Sequence, residues 1–132
     1  DWKEGMPNRP NIFWESDVAK WIEGAAYFLQ KQRDPKLEAR IDELVERMER
    51  AQGEDGYLNA YFTVVEPQAR FTRRTHHELY CAGHLIEGAI AYAQATGREK
   101  MLRIVMKYAD LIDRVFREEH SAAFDTPGHE EI

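Results

Sequence analysis

Apolar residues recur along the chain at the spacing of amphipathic helices, in four segments separated by polar stretches that contain glycine or proline. The segments cover about residues 16–33, 35–53, 75–97 and 98–116. None of them shows the period of two that a half-buried strand requires, so the pattern predicts an all-α fold. The expected core positions are, in chain order, Val18, Trp21, Ile22, Ala25, Leu29, Leu37, Ile41, Leu44, Val45, Met48, Leu79, Ala82, Leu85, Ile86, Ala89, Leu102, Val105, Ala109, Ile112 and Phe116.

The ends of these segments carry residues that start or stop helices. Ser16 is expected to cap the first helix, because its side chain can accept a hydrogen bond from a free backbone N–H. Pro35 suits the first turn of the second helix, since that turn leaves its N–H groups unpaired anyway. Thr75 and Glu78 have the spacing of a capping box at the start of the third helix. Gly97 is the expected stop of that helix.

An internal repeat relates the two halves of the chain. The tetrapeptide Ile-Glu-Gly-Ala occurs at residues 22–25 and again at residues 86–89, 64 positions later. The same offset pairs Ile41 with Val105, so the second helix of each half has the same register. This is the pattern of a repeated αα-hairpin. The predicted organisation is hairpin one at about 16–53, a loop at 54–74, hairpin two at about 75–117 and a loop at 118–132.

The loop at 54–74 is long for a helical domain and rich in aromatic residues. Loops of this length inside compact domains often carry function. Tyr57, Tyr61, Phe62 and Phe71 can cover the ends of the helices, which is the simpler interpretation. Alternatively, they form the stacking wall of a sugar cleft, because a sugar ring offers an apolar face of C–H groups.

Composition and charge narrow the classes of function. The chain has 132 residues, 43% of them hydrophobic, which fits one soluble globular domain of modest size. Its net charge of −6 argues against nucleic acid or an anionic membrane as the main partner. No apolar run approaches the roughly 20 residues of a membrane-spanning helix, and no signal-peptide pattern is visible. Localisation stays open, with a soluble cytoplasmic protein favoured over a secreted one.

A dense group of histidines surrounds the single cysteine of the chain. On a helix, His77, Cys81 and His84 lie on one face, in an arrangement that zinc accepts. The zinc-protease motif, however, requires a second histidine where Cys81 stands. A lone cysteine among leucine and alanine neighbours is more often a small buried apolar residue. No metal ligand is therefore assigned, and a metal-dependent hydrolase that uses these three residues stays an alternative.

Two histidines and several carboxylates are candidates for binding or chemistry. His77 lies at the start of the third helix beside the aromatic loop, and His129 lies in a turn near residue 132. Either can exchange hydrogen bonds with a hydroxylated ligand or simply pack. Glycoside hydrolysis needs two carboxyl groups, or one and another nucleophile, across the scissile bond. The carboxylates near helix ends and loops are Glu15, Asp17, Asp55, Glu78, Glu130 and Glu131.

Four motifs, in order and at matching spacing, resemble the helical catalytic domain of the β-L-arabinofuranosidases of glycoside hydrolase family 127. They are FWESDVAKWIE at residues 13–23, AQGEDGYLN at 51–59, HELYCAGHLIE at 77–87 and PGHEEI at 127–132. The resemblance covers nearly the whole chain from about residue 12. It implies that the chain is a fragment from the N-terminal part of that domain.

The resemblance carries implications for fold, activity and site. It implies a partial (α/α)6 barrel, which is a ring of six αα-hairpins of which this chain holds two. It implies a retaining parent enzyme that releases terminal L-arabinofuranose from plant glycans, so the expected partner is an arabinofuranoside-containing glycan. His77 and His129 match histidines that line the sugar-binding subsite in the family.

The resemblance also implies that the catalytic machinery lies outside this chain. The family's acid/base glutamate, its cysteine nucleophile, and the glutamate and cysteines that hold its zinc lie downstream of the matching stretch. No catalytic residue and no cofactor are therefore assigned here, and the chain alone is expected to be inactive. A second interpretation is a non-catalytic helical module that binds a glycan or a protein. Because two hairpins leave apolar faces that further repeats would cover, we expect exposed apolar faces to drive self-association.

Overall fold

Five α-helices carry the fold in a computed structural model of the protein, which describes residues 2–132. They are α1 (Trp14–Lys31), α2 (Pro35–Ala51), the short α3 (Tyr61–Val64), α4 (Glu78–Thr96) and α5 (Lys100–Asp113). Two 3-10 turns, Pro67–Ala69 and Arg74–His76, precede α4, and a π-helical turn, Arg114–Glu118, follows α5. The part of the chain that the structure describes contains no strand, which confirms the all-α prediction.

Two helix ends lie where their capping residues predict them, at the start of α2 and at the end of α4. Asp34 precedes α2, and its carboxylate accepts hydrogen bonds from the N–H groups of Lys36 and Leu37 at 2.9 and 3.1 Å. Pro35 occupies the first turn, as expected. Gly97 ends α4 with φ +73°, a conformation that suits a residue without a Cβ.

Ser16 does not cap the first helix. The helix begins two residues earlier, at Trp14, and Ser16 lies inside it, fully buried. Its hydroxyl donates a hydrogen bond to the backbone oxygen of Phe13 at 2.9 Å. The prediction was wrong because a small hydroxyl is tolerated inside a helix when a carbonyl one turn back accepts its proton.

The capping box of Thr75 and Glu78 is also absent. Thr75 lies in the 3-10 turn before α4, and His77 is the residue that precedes the helix. Glu78 is the first residue of α4, but its carboxylate is buried in the core, with tertiary partners described below. Glu78 therefore pairs with residues of the preceding loop, and not with Thr75 as its spacing suggested.

The first helices of the two sequence repeats lie side by side. α1 packs most extensively against α4, and α4 packs next most against α5, whereas α2 touches both α1 and α5 only slightly. The contact between α1 and α4 is close at Gly88, where an added Cβ would lie 2.9 Å from the backbone oxygen of Ala19. A small residue at this position lets the two backbones approach. The division into two hairpins of a barrel stays a prediction.

The core combines the helical stripes with the aromatic residues of the loop. Ile22, Ile41 and Leu85 are completely buried, as their periodicity indicates. Tyr57, Phe62 and Phe71 are also buried, which favours packing over a sugar-stacking role for these three residues. These buried aromatic side chains anchor the loop at 54–74 to the helical core.

Trp21 departs from the predicted core. It is 46% exposed and lines an open groove between α1 and α2 together with Val18 and Leu44. Trp14 and Phe28, which are seven residues away on either side, are similarly exposed. These three large side chains leave an uncovered apolar stripe along α1. No helix within residues 2–132 is long and apolar enough to span a membrane.

Candidate functional site

The two histidines that the sequence singled out lie in direct contact. Nε2 of His129 is 3.1 Å from Nδ1 of His77, although 52 positions separate the residues in the chain. Their ring centroids are 5.0 Å apart. A hydrogen bond between two imidazole nitrogens needs one N–H donor and one unprotonated acceptor. The contact therefore requires that at least one of the two rings is neutral.

Backbone geometry fixes the position of His77. The residue connects the Arg74–His76 turn to α4 and has φ +60° and ψ 20°, in the left-handed region. A residue with a side chain is uncommon in this region and persists where surrounding contacts hold it. The imidazole is thereby presented at the N-terminal end of α4.

Two glycines let the C-terminal segment reach His77. A Cβ added to Gly83 would overlap the backbone oxygen and carbonyl carbon of Glu131, so this segment packs directly on α4. A Cβ on Gly128 would lie 3.0 Å from the backbone oxygen of Arg74. The close approaches occur on both sides of His129 in the sequence, and they hold its imidazole against His77.

Tyr80 is the centre of the aromatic cluster at this site. It lies one helical turn after His77, and the ring centroids of His129 and His84 are 4.9 and 4.5 Å from its own. Tyr80 is not among the site residues predicted from the sequence. The helical spacing could have identified Tyr80. Residues three apart on a helix share a face, so Tyr80 is expected beside His77.

The N-terminal end of α1 adds a second wall to the cluster. The ring of Phe13 lies 4.8 Å from that of His77, centroid to centroid. Nζ of Lys20 donates a hydrogen bond of 2.5 Å to Oη of Tyr80 and lies 4.8 Å from the centre of its ring. Neither residue was predicted, since the close pairing of α1 with α4 depends on tertiary packing.

Electrostatics favour a neutral His77. Partial burial lowers its pKa from the usual 6.5, and the nearby charges of His129 and His76 act in the same direction. A neutral imidazole offers one donor and one acceptor, which suits recognition of a hydroxyl group. Hydrogen bonding to Tyr80 raises the pKa of Lys20, so the ammonium group stays charged.

A buried acidic residue follows His77 directly in the chain. Glu78 is 2% exposed and accepts hydrogen bonds from Oη of Tyr57 at 2.5 Å and from the N–H of Phe71 at 2.8 Å. Burial raises the pKa of Glu78 to about 7, against the opposing effect of these two donors. Burial likewise raises the pKa of the Tyr57 phenol.

The remaining candidate carboxylates have different surroundings. Glu15 accepts a hydrogen bond from the N–H of Ala60 at 2.6 Å, and burial raises its pKa. Asp55 accepts a hydrogen bond from the N–H of Tyr57 and forms an ion pair with Arg70 at 3.4 Å. Asp17 and Glu130 are exposed. Glu131 lies beside the cluster, where its Oε1 is 4.0 Å from Nε2 of His84.

His77, Cys81 and His84 are poorly suited to hold a metal ion. Cys81 is completely buried, and its Sγ donates a hydrogen bond to the backbone oxygen of Ile12 at 3.2 Å. Burial raises the pKa of this thiol to about 12, so the thiolate that zinc requires is disfavoured. Across residues 2–132, no three His, Cys, Asp or Glu side chains are grouped to hold a metal ion. The residues present here therefore do not fit a zinc ion, whose ligands the family resemblance places downstream of this chain.

Comparison with known proteins identifies the family. The sequence model described as β-L-arabinofuranosidase, GH127 catalytic domain, matches residues 2–132. The chain belongs to glycoside hydrolase family 127. It is 40% identical over 126 residues to a non-reducing end β-L-arabinofuranosidase from Bifidobacterium longum, covering 92% of this chain and 19% of that protein.

Solved structures of this family have the same arrangement of helices. A GH127 β-L-arabinofuranosidase from Geobacillus stearothermophilus T6 superposes with a TM-score of 0.89 and 47% identity, over 100% of this chain and 20% of that one. A second GH127 β-arabinofuranosidase gives 0.82 and 36% identity, over 97% of this chain and 22% of that one. The chain thus spans about a fifth of the length of these relatives.

Proposed function

We propose that this chain is part of the catalytic domain of a retaining glycoside hydrolase that releases terminal L-arabinofuranose from plant glycans. Membership of family 127 supports the hydrolase class, and the activity of the Bifidobacterium relative supports the sugar. The observation that carries the proposal for this segment is the contact between His77 and His129. The family resemblance assigns both histidines to the same sugar-binding subsite, and in the structure they are in contact.

The chemistry of the cluster suits a small sugar. The two imidazoles supply hydrogen-bond donors and acceptors within a few ångströms of one another, which matches the closely spaced hydroxyls of a pentose. Tyr80 and Phe13 offer aromatic faces for its C–H groups. The ammonium of Lys20 adds a further donor at the edge of the cluster. We assign His77 and His129 to sugar binding and no residue of the chain to bond cleavage.

The chain alone should not hydrolyse glycosides. The acid/base and nucleophile expected from the family lie outside it, and no step through zinc is assigned here. Incubation of the 132-residue chain with a chromogenic β-L-arabinofuranoside should release no product. Turnover by the chain alone would contradict this assignment.

The binding assignment is tested by replacing His77 with asparagine, which tolerates the same left-handed backbone. His120→Asn is the matched control, because His120 also has a positive φ, of 49°, but is exposed and takes no part in the ring contacts around His77. In the full-length enzyme we expect His77→Asn to raise KM at least about tenfold, as loss of one or more hydrogen bonds to the sugar predicts. Equal kinetics for the two variants would refute the assignment.

A second function is favoured by the uncovered apolar stripe of Trp14, Trp21 and Phe28 on α1. We propose, as the alternative, a non-catalytic helical module that uses this surface to bind another protein or a second copy. The two proposals separate on one measurement. A full-length protein that hydrolyses arabinofuranosides supports the enzyme, whereas an inactive protein with a stable helical partner supports the module.

A further inference from the structure

The carboxylate of Glu78 joins two strained points of the backbone. Phe71 has φ +51° and His77 has φ +60°, and neither is glycine. A left-handed conformation is unfavourable for a residue that carries a Cβ. Both residues therefore need contacts that hold them in place.

Glu78 contacts the first of these points through its side chain and adjoins the second in the chain. Its Oε2 accepts the N–H of Phe71 at 2.8 Å, and its own backbone follows His77 directly. Its Oε1 accepts the phenol of Tyr57 at 2.5 Å. Tyr57 is itself fixed, because it is 1% exposed and the Arg70 guanidinium carbon lies 3.9 Å from the centre of its ring.

We infer that Glu78 is a positioning residue for the sugar-binding imidazole. By holding Tyr57 and the N–H of Phe71, it fixes the first turn of α4 and the left-handed backbone of His77, and so sets the contact of His77 with His129. The inference rests on the proposed function only in naming the sugar as the ligand of His77. The positioning of His77 by Glu78 does not depend on it. Glu78 does not itself touch the ligand, since it is 2% exposed and both of its oxygens have partners in the core.

The test compares two tyrosine–glutamate pairs of the same loop region. Tyr61 donates to Glu66 at 2.6 Å, but this pair is more exposed and distant from His77 in the sequence. Glu66→Gln is therefore the matched control for Glu78→Gln. A glutamine keeps the shape of the side chain but loses one of the two acceptor oxygens.

The first measurement is independent of sugar. Imidazole NMR signals of His77 and His129 in the 132-residue chain should shift in Glu78→Gln and stay unchanged in Glu66→Gln. Tyr57→Phe, which removes only the phenol hydroxyl, should shift them as well. If Glu78→Gln fails to fold by circular dichroism, Tyr57→Phe decides the outcome alone. Unchanged histidine signals in a folded variant would overturn the inference.

The second measurement is kinetic and uses the full-length enzyme. Glu78→Gln should raise KM for an aryl β-L-arabinofuranoside about fivefold with little change in kcat, since a displaced imidazole weakens ground-state binding. Glu66→Gln should keep both constants. Shifted histidine signals together with an unaffected KM would refute the sugar-binding role and leave the positioning role intact. The two failures are therefore distinguishable.

Discussion

The backbone oxygen of Glu131 fills the space into which a side chain on Gly83 would project. This contact places the C-terminal segment against α4 and brings His129 to His77. It is a backbone contact, so a flexible side chain cannot move aside to relieve an added methyl group. Gly83 is therefore expected to be essential for the site, although it is not part of it.

Gly83→Ala should detach the C-terminal segment from α4. We expect the NMR contact between His129 and His77 to disappear and arabinose binding to weaken, because the added methyl group overlaps the Glu131 carbonyl. Gly24→Ala is the control, since Gly24 is also helical and a Cβ there meets nothing within 4 Å. Alanine favours a helix by about 1 kcal/mol over glycine, so Gly24→Ala should raise the melting temperature. An intact histidine contact in Gly83→Ala would contradict this view of the segment.

Stability should depend on the protonation of His77. Burial lowers its pKa below 6.5 in the folded chain, so the unfolded chain binds the proton more readily. The free energy of unfolding should therefore fall as the pH drops below 6.5, and urea denaturation between pH 5 and about 7.5 would measure it. The fall should be smaller in His77→Asn and unchanged in His120→Asn. A slope that is identical in all three proteins would count against a partly buried, neutral His77 imidazole.

Glu78 should have the opposite effect on stability. Its pKa is raised from 4.5 to about 7, so the folded chain retains a proton that the unfolded chain releases in this range. The free energy of unfolding should decrease as the pH rises from 4.5 to 7, by an amount on the order of 3 kcal/mol. Glu78→Gln cannot ionise, and its stability should lack this decrease. Contributions from Glu15 and His77 are common to both proteins, so the difference between their pH profiles isolates Glu78.

Self-association should depend on the apolar stripe of α1. Trp21 is 46% exposed and lies between Trp14 and Phe28 on the same helix. We expect light scattering to show concentration-dependent oligomers of the 132-residue chain, and Trp21→Gln to shift them towards monomer. Met106→Gln is the control, because Met106 is 62% exposed but lies on α5. A monodisperse monomer at all concentrations would disprove the prediction.

Helix positions were predictable because they depend on local periodicity. The four long helices begin and end within a few residues of the predicted segments, and the start of α2 follows from Asp34 and Pro35. The family, and with it the two histidines, was accessible from four motifs in a fixed order. The resemblance placed both histidines in one subsite and so implied that they lie close together. Residues that are 52 positions apart would not otherwise be expected to touch.

Other features depended on which elements pack together. Ser16 and Thr75 carry cap-forming side chains, but their positions relative to the helix ends are set by tertiary contacts. Trp21 has the spacing of a core residue, yet the packing of residues 2–132 leaves it 46% exposed. The partnership of Glu78 with Tyr57 spans 21 residues and joins a loop to a helix, so periodicity cannot reveal it.

The burial of Cys81 has a practical consequence for labelling. Its thiol is completely enclosed, donates to the backbone of Ile12 and has a pKa of about 12, so alkylating reagents should not modify it in the folded chain. A cysteine introduced at an exposed position would then be the one reactive thiol, without removal of the native residue. A fluorophore attached in the 118–132 segment would report directly on how tightly that segment is held against α4.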